Sequence, residues 1–324
     1  VSALVLGSGT WGTALAIVLA RAGRPVTLLC RRSEVADAIR GGTHPSFPGL
    51  ALPPMEARVF GEPVEDARFV ISTVPTQKLR GVLAEHGASL PRAVPWVSGS
   101  KGLEIGTQRL PTEIIREAGV EAEVGILSGP SHAEEVVLGV PTAVSLAVRD
   151  AEIGRWLQEA ISDSSFRVYT NNDTVGVEWG GVLKNVVALA SGIAIGLGFG
   201  DNTIAALVSR GAAEISRLGA DLGGHRETFF GLSGVGDLVV TCFSEHSRNR
   251  AYGVRLGAGE DPRALLEDTR SVVEGVHTSR AVHELRQQHE IDMPIAEEVF
   301  RIVHEGRDPQ RGVEALLARE LREE

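Results

Sequence analysis

Hydrophobic and polar positions change their rhythm once along this chain. Up to about residue 170, short apolar or β-branched runs alternate with segments of helical period. Strands are predicted at Ala3–Leu6, Pro25–Leu29, Arg58–Phe60, Phe69–Thr73, Val94–Ser98, Val124–Leu127, Thr142–Ala147 and Phe166–Tyr169. Strands interleaved with helices are the pattern of a doubly wound α/β layer. After Thr170 the strand signal stops, and helix-period segments punctuated by Gly and Pro run onward. The 324 residues exceed what one hydrophobic core usually serves. We therefore expect a dinucleotide-binding domain over 1–171 and an all-α substrate-binding domain over 172–324, closing with substrate between them.

Composition narrows the partners. A hydrophobic fraction of 43% supports packed cores, and a formal net charge of −10 with scattered basic residues argues against nucleic acid or an anionic membrane. A small anion stays compatible, because a few local cations act at contact range. The apolar stretch Val186–Gly200 is shorter than the roughly 20 residues of a membrane span and is predicted to be a buried core helix, without stable membrane insertion. Cys30 and Cys242 are too few for a disulfide framework or a metal cluster. With a strand-like run at Val1–Leu6 and no export signal, the cytoplasm is the expected location.

Gly7-Ser8-Gly9-Thr10-Trp11-Gly12 fits G-x-G-x-x-G between an apolar strand and a helical pattern, the context of a Rossmann-type dinucleotide turn. Gly7 permits the tight turn, Gly9 lets backbone approach a pyrophosphate, and Gly12 allows close helix–strand packing. The helix N-terminus then offers free N–H groups to the diphosphate. After the second strand stand Arg31 and Arg32, where an NAD-selective site commonly holds an acid; two cations there predict that NADP is accepted as well as NAD.

Four further positions invite chemistry. Lys184 sits among Val182, Leu183, Val186 and Val187, so its ammonium is either a desolvated proton-transfer group or a snorkelling side chain. Gly180, Gly181, Ala188 and Ser191 on its face are expected to leave room for a ligand. Lys101 follows a strand at the carboxyl edge of the sheet, where such folds bind ligands, although surface lysines are common there. Ser247-Arg248-Asn249 reads as a phosphate grip or as a polar helix start. Asp237, approached through glycines, is either a ligand contact or a turn-stabilising acid.

Seven segments in order complete the picture: GSGTWGTALA (7–16), SKGLE (100–104), SGPSHA (128–133), GVLKNVV (181–187), GLSGVGDLVVTC (231–242), SRNR (247–250) and VVEG (272–275). With this set the chain resembles the bacterial-type glycerol-3-phosphate dehydrogenases over nearly its whole length. The resemblance implies NADP or NAD as cofactor, a small phosphorylated triose as substrate, a homodimer, and reduction toward phospholipid precursors. It implies Lys184 as general acid/base, with Asp237 and Lys101 beside it in catalysis. Cofactor contacts carry over to Gly7, Gly9, Thr10, Trp11, Gly12, Arg31, Arg32, Lys101, Ala133, Arg248, Val272 and Glu274. Substrate contacts carry over to Lys101, Gly129, Ser131, Lys184, Asp237, Ser247, Arg248 and Asn249.

No metal is needed by this chemistry. Two segments depart from the family pattern: His132 stands where phenylalanine is usual, and His44–Gly49 only loosely echoes an N-x-x-Y-L-P-G loop. The runner-up readings are a ketopantoate- or 3-hydroxyacid-type dehydrogenase and a cofactor-sensing module without chemistry. Lys184 discriminates the sensor, and the phosphate grip discriminates the carboxylate enzymes.

Overall fold

The computed structural model describes residues 2–64, 66–268 and 273–320. Two compact units divide the chain, Val1–Glu178 and Trp179–Glu324.

In the first unit, eight strands form one sheet: β1 (Ala3–Leu6), β2 (Val26–Cys30), β3 (Glu56–Val59), β4 (Phe69–Ser72), β5 (Trp96–Ser98), β6 (Val124–Ser128), β7 (Thr142–Ala147) and β8 (Phe166–Asn171). Their order is β3-β2-β1-β4-β5-β6-β7-β8. Each expected strand is present, with edges moved by a few residues. Strand β1 shows why the run is apolar throughout. Ala3 and Val5 enter the core that holds α1 (Thr10–Arg21) and α2 (Ser33–Arg40), while Leu4 and Leu6 enter the core under α3 (Thr76–His86) and α4 (Pro111–Glu117). A strand covered on both faces has no polar side to alternate with.

Pairing is parallel from β3 to β6, and β7 then runs antiparallel to β6. The connection explains the reversal. It holds only α5 (Ala133–Val137); five helical residues rise about 7.5 Å, less than half the roughly 17 Å of a five-residue strand. The chain therefore re-enters the sheet from the end it left. A last helix, α6 (Ala151–Ile161), leads into β8, and its start is capped by Asp150, which accepts from the N–H groups of Glu152 and Ile153.

Helix α7 (Thr174–Gly196) begins beside this sheet, and its second turn carries a buried acid. Glu178 accepts from the Thr112 N–H at 3.0 Å and from the Thr112 hydroxyl at 2.5 Å, satisfying donors at the start of α4. Burial pushes this carboxyl up to about 7, against the lowering pull of the two bonds to Thr112. The folded state thus keeps a proton that an unfolded carboxylate with the ordinary value of 4.5 has already lost. Stability falls as pH rises through that window. Glu178→Gln is expected to flatten the decline by on the order of 3 kcal/mol, read as the difference between urea-unfolding free energies at pH 5 and pH 8; an unchanged slope in the variant would count against this.

The second unit is helical among its described residues: after α7 come α8 (Asp201–Asp221), α9 (Asp237–Phe243), α10 (Arg248–Gly257), α11 (Pro262–Asp268), α12 (Glu274–Gln288), α13 (Pro294–Glu305) and α14 (Pro309–Leu317). Helix α7 is long and apolar enough to cross a membrane by composition, yet 89% of its apolar window is buried within the protein.

Its packing against α10 uses glycines one turn apart on both helices. A Cβ on Gly192 or Gly196 would lie 2.2 Å from the carbonyl oxygens of Arg250 and Val254, and one on Gly253 or Gly257 would meet those of Leu189 and Ile193 at 2.4 and 2.2 Å. Backbone lies against backbone here, which sets the residues at the head of α10 close to the middle of α7. Across the same unit, the buried Glu214 accepts from the N–H groups of Ile295 and Ala296 at 2.8 and 3.1 Å, tying α8 to the start of α13.

Candidate active site

The glycine turn lies where the winding of the sheet reverses, between β1 and β4, the place at which such folds take ligands. Gly7 adopts φ +100°, a left-handed value that favours glycine. A Cβ on Gly12 would sit 1.9 Å from the Gly7 carbonyl oxygen, so that position admits only glycine. Around Gly9 the situation is opposite: a Cβ there would meet nothing within 4 Å. Open space over the middle glycine, tight packing under the third, and the N-terminus of the twelve-residue α1 together fit a dinucleotide diphosphate. Thr73, just after β4, closes the turn from beneath, its hydroxyl 2.9 Å from the Leu6 carbonyl and 3.0 Å from that of Gly7.

Thr10 and Trp11 open α1, and the exposed Arg31 and Arg32 follow β2, Arg32 standing at the N-cap of α2. Among the described residues neither arginine forms an ion pair, so both cations face solvent where an anion could meet them.

Lys101, Gly129 and Ser131 come together at the carboxyl ends of β5 and β6. Lys101 Nζ donates to the Gly129 carbonyl at 3.1 Å, and the Ser131 hydroxyl donates to the same oxygen at 2.9 Å. Gly129 has φ +146°, with room for a Cβ only 3.0 Å from Val144 Cα. Ala133, buried, starts α5 directly after His132.

In the second unit the structure builds a buried constellation around Lys184. Its Nζ donates to Asp237 Oδ1 at 2.5 Å and to Thr241 Oγ1 at 2.7 Å, and all three residues are at most 7% exposed. The Thr241 hydroxyl in turn donates to the Asp237 carbonyl at 2.6 Å, so its oxygen is oriented to accept from the lysine. A buried ammonium is tolerable only with such partners.

Asp237 reaches the lysine because a single π-helical turn, Leu232–Gly236, delivers it to the start of α9. Gly234 fits within that turn: its Cβ would be 1.9 Å from the Phe229 carbonyl oxygen. One expectation is corrected here. Gly180 does not leave room for a ligand beside Lys184, since the backbone of Ser233 occupies that space at 2.7 Å, and Ser191 donates its hydroxyl to the Cys242 carbonyl. Gly180 serves close backbone packing instead.

At the head of α10, Ser247 is the N-cap and accepts from the Arg250 N–H. Arg248 projects outward, exposed. Asn249 faces inward: its amide donates to Asn185 Oδ1 at 2.9 Å and its carbonyl accepts from the Gly275 N–H at 2.9 Å, which ties α10 to α7 and α12.

Glu274 begins α12 with Oε2 buried and without a hydrogen-bond partner among the described residues. Burial pushes its carboxyl up to about 7, against the charge of Arg248. An orphaned buried acceptor beside an arginine suits the polar groups of a bound cofactor. The cofactor contact expected at Val272 lies outside the described residues.

Thr241, Asn185 and Thr73 went unread in the sequence. Thr241 had a usable signal, since it stands four residues after Asp237 on the same helix face.

Family models for the N- and C-terminal parts of NAD-dependent glycerol-3-phosphate dehydrogenase match residues 2–154 and 173–314. The chain belongs to that family. A relative from Moorella thermoacetica, a glycerol-3-phosphate dehydrogenase of NAD(P)+ type, is 46% identical over 322 residues, covering 98% of this chain and 96% of its own. The crystal structure of glycerol-3-phosphate dehydrogenase from Coxiella burnetii superposes with a TM-score of 0.90 at 38% identity, covering 98% of this chain and 99% of its own. The enzyme from Saccharomyces cerevisiae reaches 0.84 at 25% identity, with 97% and 98% covered. Membership brings with it NAD or NADP as the cofactor.

Proposed function

We propose that this chain interconverts dihydroxyacetone phosphate and sn-glycerol 3-phosphate with NADPH or NADH, supplying glycerol 3-phosphate for phospholipid synthesis. The observation that carries this reading is the Lys184–Asp237–Thr241 constellation. It holds an ammonium at a fixed place in a buried setting, where a proton can be passed to or from a substrate oxygen.

The bound nicotinamide supplies the hydride chemistry at the substrate C2. The chain's own residues do the rest. Gly9, Thr10, Trp11 and Gly12 receive the diphosphate at the head of α1, Gly7, whose own N–H donates to the Leu29 carbonyl, shapes the turn beneath it, and Arg31 and Arg32 provide the charge for a 2′-phosphate. Lys101, Gly129 and Ser131 contact the substrate, with the Lys101 ammonium offering its remaining protons. Ser247, Arg248 and Asn249 take its phosphate, with Arg248 offering a planar fork of donors that matches phosphate oxygens. Glu274 and Ala133 complete the cofactor contacts. Lys184 gives the C2 oxygen its proton in reduction and takes it back in oxidation, while Asp237 and Thr241 hold its orientation.

Both cysteines are buried free thiols, which suits action in the reducing cytoplasm. A cofactor sensor has no use for a buried ammonium held by two partners, and a carboxylate-specific dehydrogenase has none for the head of α10.

The test is the loss of reduced-nicotinamide absorbance with dihydroxyacetone phosphate as acceptor. Turnover is expected with both cofactors, and kcat/KM with NADPH is expected to be at least comparable to that with NADH. No turnover with either would sink the function, whereas a strong preference for NADH would remove only the role given to Arg31 and Arg32.

A further inference from the structure

The loop after α2 departs from the family pattern, and none of the roles above uses it. Its buried residue His44, 5% exposed, engages both ring nitrogens. Nδ1 accepts from the Ser46 N–H at 3.1 Å. A ring nitrogen that accepts carries no proton, so the proton of the neutral ring sits on Nε2. That nitrogen lies 3.1 Å from the Ser8 carbonyl oxygen and donates to it. Burial, joined by the charge of Arg32 and opposed by the bond to Ser8, holds the imidazole below the usual histidine range, so it is neutral at pH 7. The Phe47 ring, its centroid 5.5 Å away, packs beside the imidazole.

Ser8 is the residue between the first two glycines of the dinucleotide turn. A peptide unit is planar and trans, so the Ser8 carbonyl and the Gly9 N–H point in opposite directions, and fixing one fixes the other. Thr73 already anchors the preceding carbonyl, that of Gly7. With glycine on its far side, the Ser8–Gly9 peptide would otherwise be freer to rotate and present its carbonyl where it now presents an N–H. We propose that His44 is a positioning residue of the dinucleotide site, its Nε2–H holding the Ser8 carbonyl so that the Gly9 N–H stays directed away from the loop and available to a diphosphate. This deepens the reading of the glycine turn as the cofactor site and rests on it.

Two half-isosteres separate the two bonds of the ring. His44→Asn keeps an acceptor for the Ser46 N–H in an Asx-turn but cannot reach Ser8, whereas His44→Gln extends an amide donor as far as Nε2 does. Calorimetric titration with NADPH is expected to show His44→Asn binding about 3- to 10-fold more weakly, the range of one neutral hydrogen bond, and His44→Gln binding within about 2-fold of the parent. At saturating cofactor, kcat and the KM for dihydroxyacetone phosphate are expected to stay close to parent values in both.

Long-range proton–nitrogen NMR of the unaltered protein should show His44 as the Nε2–H tautomer. Equal cofactor affinity in the two variants, or a His44 protonated on Nδ1, overturns the proposal. Gly9→Ala, a change into open space at an ordinary backbone conformation, is the control. Its failure to weaken NADPH would sink the site itself, whereas weakening by Gly9→Ala without any by His44→Asn removes only His44.

Discussion

Lys184→Ala is expected to lower kcat by at least about 10²-fold, the low end of what general acid–base catalysis contributes, with binding of NADPH retained. The alanine has no group to protonate the C2 oxygen. It also strands the Asp237 carboxylate, 2% exposed, without its cation. Breaking a buried pair from one side typically costs about 3–5 kcal/mol, so lost activity alone could reflect lost folding. A second variant separates the two effects. Lys184→Met with Asp237→Asn removes both charges, and it is expected to recover much of the thermal stability lost in the single variant while remaining equally inactive. Parent-like turnover in a folded, cofactor-binding Lys184→Ala protein would return the chain to a different mechanism.

Arg248→Ala is expected to raise the KM for dihydroxyacetone phosphate about 10- to 100-fold, as loss of a charge-assisted hydrogen bond implies. The effect on unphosphorylated dihydroxyacetone should be small. Geometry motivates the contrast: Arg248 is exposed at the first turn of α10, where backbone N–H groups and the Ser247 cap already favour an anion. Its charge also acts on Glu274, lowering a carboxyl that burial raises. Removing it is therefore expected to hold Glu274 protonated to higher pH, so that any pH dependence of cofactor affinity centred near 7 in the parent moves upward in the variant. Equal losses for both substrates would show that Arg248 does not recognise phosphate.

Much of the architecture was legible because the relevant interactions are local. A strand buried on both faces is an unbroken apolar run, as in β1, and the glycine turn is contiguous from Gly7 to Gly12 with its strand before and its helix after. The helical second unit followed from the absence of strand signal beyond Thr170. The antiparallel entry of β7 was not legible, since it depends on how far a short helix carries the chain. Nor was the use of Gly180, which periodicity placed on the lysine's face but which only the fold shows to be filled by Ser233 backbone.

By itself, the sequence singled out the residues to which we assign chemistry: a lysine in an apolar helix, an acid after a glycine-rich turn, and a Ser-Arg-Asn run. The tertiary structure decided which of them meet and in what state. Lys184 and Thr241 stand 57 positions apart, and His44 and Ser8 stand 36 apart. Periodicity reports a residue's own face and burial, but a hydrogen bond across such intervals depends on where two separate elements pack. That is set by close backbone approaches, such as those of Gly192 and Gly253, which a one-dimensional pattern does not contain.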